Sequence, residues 1–394
     1  MNDPRYGWVV VGSAFTLMFV GFAAAYSFAA FFSAYEAEFG AARGDIALVF
    51  SVAAFLWFLL GAPGGMAADR FGARRVAAVG VACLVIALWL ASRAESLHAL
   101  YITYSVGIGL GVGLVYVPSV GAVQPWFGAN RALATGVAVA GIGAGNIAGP
   151  LLAAWWLGLF GWRGAYVALA LFVLVLGGTA AFFLRAFPSE NRSAVPGLTL
   201  GEALRTTPFW LLYASLVLSC VGLFVPIVHL APYAQDAGYS EAQGVALVSL
   251  VGVGSLLGRF GVGGIADRFG RLPSLAGFYA GLGLMLLVWW STTHWWLLAL
   301  FAVVFGVCYG GYVALGPTIA MDLYGARSLS GIIGCLYTGA GLGTLVGPWL
   351  AGVAFDATGS YSLPILAAAA LSFLAAACVI PLVRQKARLV HSGH

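Results

Sequence analysis

Apolar runs of about 20 residues or more recur along this chain from one end to the other, and they fix the solvent in which it can fold. A backbone in hydrocarbon must satisfy its own amides, which only helices and closed barrels achieve, and runs of this length suit helices. The composition agrees. Of 394 residues, 62% are hydrophobic and 8% charged, whereas a soluble domain carries about 25% charged residues. The 55 glycines suit close helix packing in lipid. The net charge of +5 does not point to nucleic acid, because the basic residues sit at span ends. No signal-peptide cleavage pattern precedes the first span. Cys83, Cys220, Cys308, Cys335 and Cys378 are scattered through apolar spans without metal-ligand spacing, so neither a metal nor a cofactor is expected.

Hydropathy and helix breakers predict twelve spans, near 8–33, 46–68, 75–92, 98–123, 131–156, 162–185, 208–234, 241–266, 272–292, 295–320, 328–354 and 361–383. The polar stretch 186–207 divides them, so the expected organisation is a six-helix half 1–185, a cytoplasmic linker 186–207 and a second six-helix half 208–394. Arginine and lysine fall mostly on one side of these spans, and only Arg43, Arg93 and Arg163 fall on the other. The positive-inside rule then predicts a multi-pass protein of the cell (inner) membrane with both termini cytoplasmic. Tyr361, Trp162, Trp295 and Trp296 stand at span ends, where an aromatic belt accounts for them.

The two halves repeat. Asp69-Arg70-Phe71-Gly72 recurs as Asp267-Arg268-Phe269-Gly270, and Gly136, Gly145, Gly149 and Pro150 recur as Gly334, Gly343, Gly347 and Pro348, always 198 residues later. Two separate motifs with one offset imply a duplicated, parallel six-helix unit. Transporters of that build hold substrate near the midplane between the halves and rock around it.

Arg259 is the charge set deep in an apolar run, 245–266, and no Asp or Glu lies inside a span to pair with it. It stands about 10 Å within its helix at ~1.5 Å per residue. Intramembrane charge points first to function, and a planar guanidinium can grip both oxygens of a carboxylate. A structural arginine that snorkels to the interface is the alternative. Ser255 lies one turn away on the same face, where it can serve the substrate or bond its own helix. Tyr116 and Tyr309, each beside glycines, and Tyr26 and Asn146 at mid-span complete the candidate substrate-binding set. His229, between Pro226 and Pro232, can carry a proton near neutral pH or bond a carbonyl that the prolines free.

Gly65-x-x-x-Asp69-Arg70-x-Gly72-x-Arg74-Arg75 and its partner Gly263-x-x-x-Asp267-Arg268-x-Gly270-Arg271 resemble the cytoplasmic loop motif of the major facilitator superfamily. The resemblance covers essentially the whole chain. It implies a fold that is all-α and polytopic, with twelve transmembrane helices in two pseudo-symmetric halves, and a gating role for Asp69, Arg70, Gly72, Arg74, Arg75, Asp267, Arg268 and Gly270. Asp3-x-x-Tyr6-Gly7-Trp8-Val9-Val10 and the placing of Arg259 are similar to the monocarboxylate transporter and oxalate–formate exchanger branch. The chain departs from that branch at three points. Tyr26 stands where animal monocarboxylate carriers place a lysine, Ser255 where they place an aspartate, and Gly339-Ala340 follows Leu336-Tyr337-Thr338 where oxalate exchangers carry a lysine.

One interior cation without an acidic partner suits a singly charged anion. The expected function is secondary transport of a small monocarboxylate such as lactate or pyruvate, by proton symport and alternating access, by a chain that works as a monomer. A lone anion entering a negative cell opposes ~2.3 kcal/mol per 100 mV, which a co-transported proton cancels. Gly136-x8-Gly145-x3-Gly149-Pro150 resembles the superfamily's antiporter motif, so exchange of organic anions stays open. A non-transporting membrane sensor is a further alternative. An intramembrane enzyme finds no Ser/His/Asp set and no paired carboxylates within the spans.

Overall fold

Each long apolar run becomes a helix in the computed structural model, which describes residues 4–127, 131–185, 197–325 and 327–391. The first half contains α1 (Pro4–Tyr26), α2 (Phe28–Phe39), α3 (Arg43–Phe71), α4 (Ala73–Ala91), α5 (Leu97–Leu100), a π-helical turn (Tyr101–Val106), α6 (Gly107–Val123), a 3-10 turn (Gln124–Trp126) and α7 (Arg131–Phe183). A short α8 (Leu200–Ala203) precedes α9 (Thr207–Asp236), α10 (Glu241–Phe269), α11 (Arg271–Ser291), α12 (Trp295–Tyr324), α13 (Leu329–Thr358) and α14 (Ser362–His391). Among the described residues, 11 helical stretches are long and apolar enough to cross a membrane. One of them, Leu133–Phe183, is two crossings, because Gly161 turns out of the helix with φ 67° and ψ 174°. A single helix of its 51 residues would run about 75 Å, well beyond the ~30 Å of hydrocarbon. The number of crossings among the described residues is therefore twelve.

The repeat is physical as well as textual. Gly145 and Gly149 of α7 lie against the backbone carbonyls of Phe19 and Ala23 on α1, so closely that a Cβ at either glycine would collide. Gly343 and Gly347 of α13 lie in the same way against Val217 and Val221 of α9. All four pairs share the offset of 198 residues. Gly72 and Gly270 likewise make the same turn, with φ 90° and 86°, values that disfavour a side chain. In both copies the glycine ends one helix and begins the next.

The halves meet along two helix pairs that the repeat relates, α3 with α13 and α7 with α10. The α3–α13 pair touches along its length: Gly334 packs on Ala62, Gly341 on Phe55 and Phe58, and Gly352 on Gly44. Between α7 and α10, Gly252 packs on the backbone of Asn146 and Ile147. Late in the expected linker, the Leu198 amide donates to the Tyr324 carbonyl (2.8 Å) and Thr199 and Glu202 form a capping box on α8. Hydrogen bonds from the Thr199 amide and hydroxyl hold the exposed Glu202 carboxyl below its ordinary range.

Candidate functional site

The α3–α13 and α7–α10 contacts leave a cavity of about 90 Å³ between the halves. Phe22, Tyr26, Trp57, Phe58 and Tyr116 line it from the first half, and Phe224, Arg259, Tyr309, Tyr312 and Tyr337 from the second. The rest of its wall is largely aliphatic, with Leu216, Leu223, Ile333 and Leu336 among the side chains, and Tyr279, Ser215 and Cys220 also line it.

Arg259 reaches this cavity because α10 is pressed against α12. Gly254 and Gly258 of α10 and Gly306 and Gly310 of α12 bring the two backbones into contact, and a Cβ at any of the four would collide with a carbonyl oxygen opposite. The Arg259 guanidinium then lies 5.8 Å from the centre of the Tyr309 ring, within cation–π range. Its Nε donates to Ser255 Oγ, a long contact of 3.4 Å. Both terminal nitrogens, Nη1 and Nη2, are buried and have no hydrogen-bond partner among the described residues. A charged fork of donors left this way is costly unless an acceptor meets it.

Four phenols surround that charge. Tyr26 and Tyr309 share a hydrogen bond of 2.9 Å between their hydroxyls, one from each half. Tyr116 and Tyr337, one from each half, line the same wall. The arrangement offers an anion one positive fork and several hydroxyl donors inside a largely apolar wall, where electrostatic attraction is strong.

Tyr26, Tyr116, Tyr309 and Arg259 are thus brought together, with Ser255 behind the arginine. Asn146 is buried at the α7–α10 crossing and is not among the residues lining the cavity; its side-chain amide has no partner among the described residues. Sequence reasoning missed Trp57, Tyr312 and Tyr337 as wall residues. Tyr337 carried a signal, because it lies in the Leu336-Tyr337-Thr338 stretch compared with the exchangers.

His229 is fully buried and does not line this cavity. Its Nε2 lies 2.8 Å from the carbonyl oxygen of Pro348 on α13, which can only accept, so Nε2 bears a hydrogen. The carbonyl it bonds is thus on another helix, not one freed by Pro226 or Pro232. Its Nδ1 lies 3.1 Å from the Tyr361 hydroxyl. Tyr361 is itself only 4% exposed, so an aromatic belt does not account for it.

In the loop motif, Asp69, Arg70, Arg74 and Arg75 are exposed. Arg70 lies over Phe71 (5.2 Å), Arg74 over Phe182 (4.4 Å) and Arg268 over Phe269 (5.5 Å). Arg271 pairs with Asp322. The side chain of Asp267 and residues 186–196 of the expected linker lie outside the described residues.

Comparison with known proteins agrees with this fold. The profile of the Major Facilitator Superfamily matches residues 14–293 and 262–392. The chain is 28% identical to monocarboxylate transporter 13 of Bos taurus, over 96% of its own length and 90% of that protein's. It is 29% identical to monocarboxylate transporter 11 of Homo sapiens, over 94% and 81%. Among solved structures, a bacterial homolog to the human lysosomal transporter Spinster, in an inward-facing and unoccupied conformation, superposes with a TM-score of 0.73. That match covers 96% of this chain and 98% of the other at 17% identity, so it bears on the fold alone.

Proposed function

The chain belongs to the Major Facilitator Superfamily and is a membrane transporter; we propose that its cargo is a small monocarboxylate such as lactate or pyruvate, moved with a proton by alternating access. The observation that carries this reading is the Arg259 fork, two buried donors without a partner among the described residues, facing a cavity shared by both halves. A carboxylate supplies two acceptors in the plane the fork requires. Tyr26, Tyr116 and Tyr309 donate further hydrogen bonds, and Ser255 holds the arginine from behind. The apolar wall suits a short carbon chain and leaves no second cation for a second carboxylate. The names of the curated relatives point to the same class of cargo.

The proton is assigned to His229. It keeps the cycle electroneutral against a membrane potential of ~2.3 kcal/mol per charge per 100 mV. By the positive-inside bias, the face carrying the loop motifs is cytoplasmic and the face carrying Arg43 is outer, in a cell (inner) membrane. Within the pattern that resembles the antiporter motif, Gly145 and Gly149 pack α7 on α1, and Gly343 and Gly347 pack α13 on α9, so helix packing accounts for these four glycines without exchange.

The direct test is uptake of labelled lactate into proteoliposomes under an imposed pH gradient. Accumulation that follows the gradient and is lost in Arg259→Ala is expected. Counter-flow at full rate without any gradient would replace symport by exchange, and binding without flux would remove the transport of this cargo.

A further inference from the structure

Arg43, the first residue of α3, joins the halves at the face opposite the loop motifs. Its Nε donates to Glu36 of α2 (2.8 Å). Its Nη1 and Nη2 donate to the two carboxylate oxygens of Asp236, at the end of α9 in the other half (2.5 and 2.8 Å). Nη1 also donates to the Tyr361 hydroxyl (3.0 Å), and the guanidinium lies 4.1 Å from the centre of the Phe355 ring. The start of α3 has no side-chain cap of its own. Asp356 of α13 supplies one from the other half, accepting the amides of Arg43 (2.9 Å) and Gly44 (2.8 Å). Beneath these bonds Gly44 and Gly352 cross with no room for a side chain: a Cβ on Gly352 would stand 2.6 Å from the Gly44 Cα.

His229 is wired into this cluster. Tyr361 accepts the Arg43 N–H and so directs its own hydrogen to His229 Nδ1, while His229 Nε2–H donates to the Pro348 carbonyl. The chain of donors runs one way, from Arg43 to α13, only when the imidazole is neutral.

We propose that this Arg43 clasp is the gate of that face and that a proton on His229 releases it. The proposal rests on the transporter reading above. A proton on Nδ1 reverses the last bond. Tyr361 must then accept from two cations at once, and the imidazolium faces the guanidinium with only a phenol between them. The other groups facing His229 do not offset this. Phe32 of α2 presents a ring edge at 5.7 Å and α13 a carbonyl already in use, and Asp356 is engaged in capping α3. Glu36 and Asp236 bind Arg43, and Glu36 belongs to its own half, so Arg43 keeps one carboxylate when the halves part.

The experiment places nitroxide labels at Glu95→Cys and Thr293→Cys, exposed on that face in the two halves. The background replaces the five native cysteines and melts like the native chain. Distances are measured by double electron–electron resonance on the full chain in nanodiscs, without substrate, from pH 8 to pH 5. A longer-distance population that grows as pH falls is expected in the background and absent in His229→Gln. Asp236→Asn should show it at every pH. Gly352→Ala should do the same by wedging the crossing, which keeps the gate testable if Asp236→Asn does not fold. A His229→Gln chain that responds to pH like its background overturns the latch, and unchanged distances in Asp236→Asn and Gly352→Ala overturn the gate. A chain that opens with acid yet carries no monocarboxylate overturns the proposed function and leaves the clasp standing.

Discussion

Arg259 and Tyr309 face each other within the second half, guanidinium carbon 5.8 Å from ring centre, and Tyr309 passes that contact to Tyr26 of the first half through a hydroxyl pair at 2.9 Å. The proposed anion site and the interface between the halves therefore share one hydrogen bond. Tyr26→Phe and Tyr309→Phe each keep the ring and lose that bond, so each should weaken apparent lactate affinity about fivefold, from ~1 kcal/mol per hydrogen bond. The double variant should be little worse than either single one, because both remove the same interaction. Losses that multiply in uptake assays would mean that the hydroxyls act separately.

A guanidinium whose Nη1 and Nη2 have no hydrogen-bond partner among the described residues is, in the proposed function, an asset for binding and a burden on stability. Arg259→Met should abolish uptake yet raise the melting temperature, since it removes a buried charge without breaking an ion pair. Arg259→Lys keeps the charge but not the fork, so uptake should fall roughly 10- to 100-fold, the scale of one charge-assisted hydrogen bond of ~1.5–3 kcal/mol. Lactate should raise the melting temperature of the native chain and not that of Arg259→Met. Equal thermal shifts in both would place the anion elsewhere.

The position of Arg259 depends on the α10–α12 contact. Gly310 packs on the carbonyl of Ser255, one turn from the arginine, and a Cβ there would overlap it. Gly310→Ala should therefore displace α10, lower the melting temperature by several degrees on a cost of ~1–3 kcal/mol, and weaken lactate affinity. Gly136→Ala, where nothing lies within 4 Å of the added carbon, is the matched control and should leave both unchanged. Equal effects of the two variants would show that helix propensity rather than this crossing is responsible.

The repeat, the twelve crossings and the out-of-place Arg259 were legible because each is a local pattern or an offset in the chain. The wall of the cavity was not. A mid-span aromatic such as Trp57 or Tyr337 reads the same whether it packs on a neighbour or lines a space, and only the juxtaposition of the halves decides. Arg43 and Tyr361 were harder still. One read as a charge on the sparse side and the other as a belt aromatic. Their roles come from Asp236 and Asp356, 193 and 313 residues from Arg43 along the chain. Asp69 and Gly72 stood out by motif, yet their spacing does not name the contacts they make.

In the proposed function the Arg259 cation sets the charge of the cargo, and Ala340 offers a way to change it. This residue lines the same cavity from α13 and is 3% exposed. It stands where the resemblance to oxalate exchangers puts a lysine. Ala340→Lys places a second cation opposite Arg259, and two cations left unmatched repel, so lactate transport should fall. A dicarboxylate matches both charges, so oxalate should begin to compete for labelled lactate and to raise the melting temperature of the variant. Wall residues that desolvate the lysine will lower its charge, so the gain should be larger at pH 6 than at pH 8. Competition by oxalate that is equal in the native chain and in Ala340→Lys would show that the number of cations does not select the cargo.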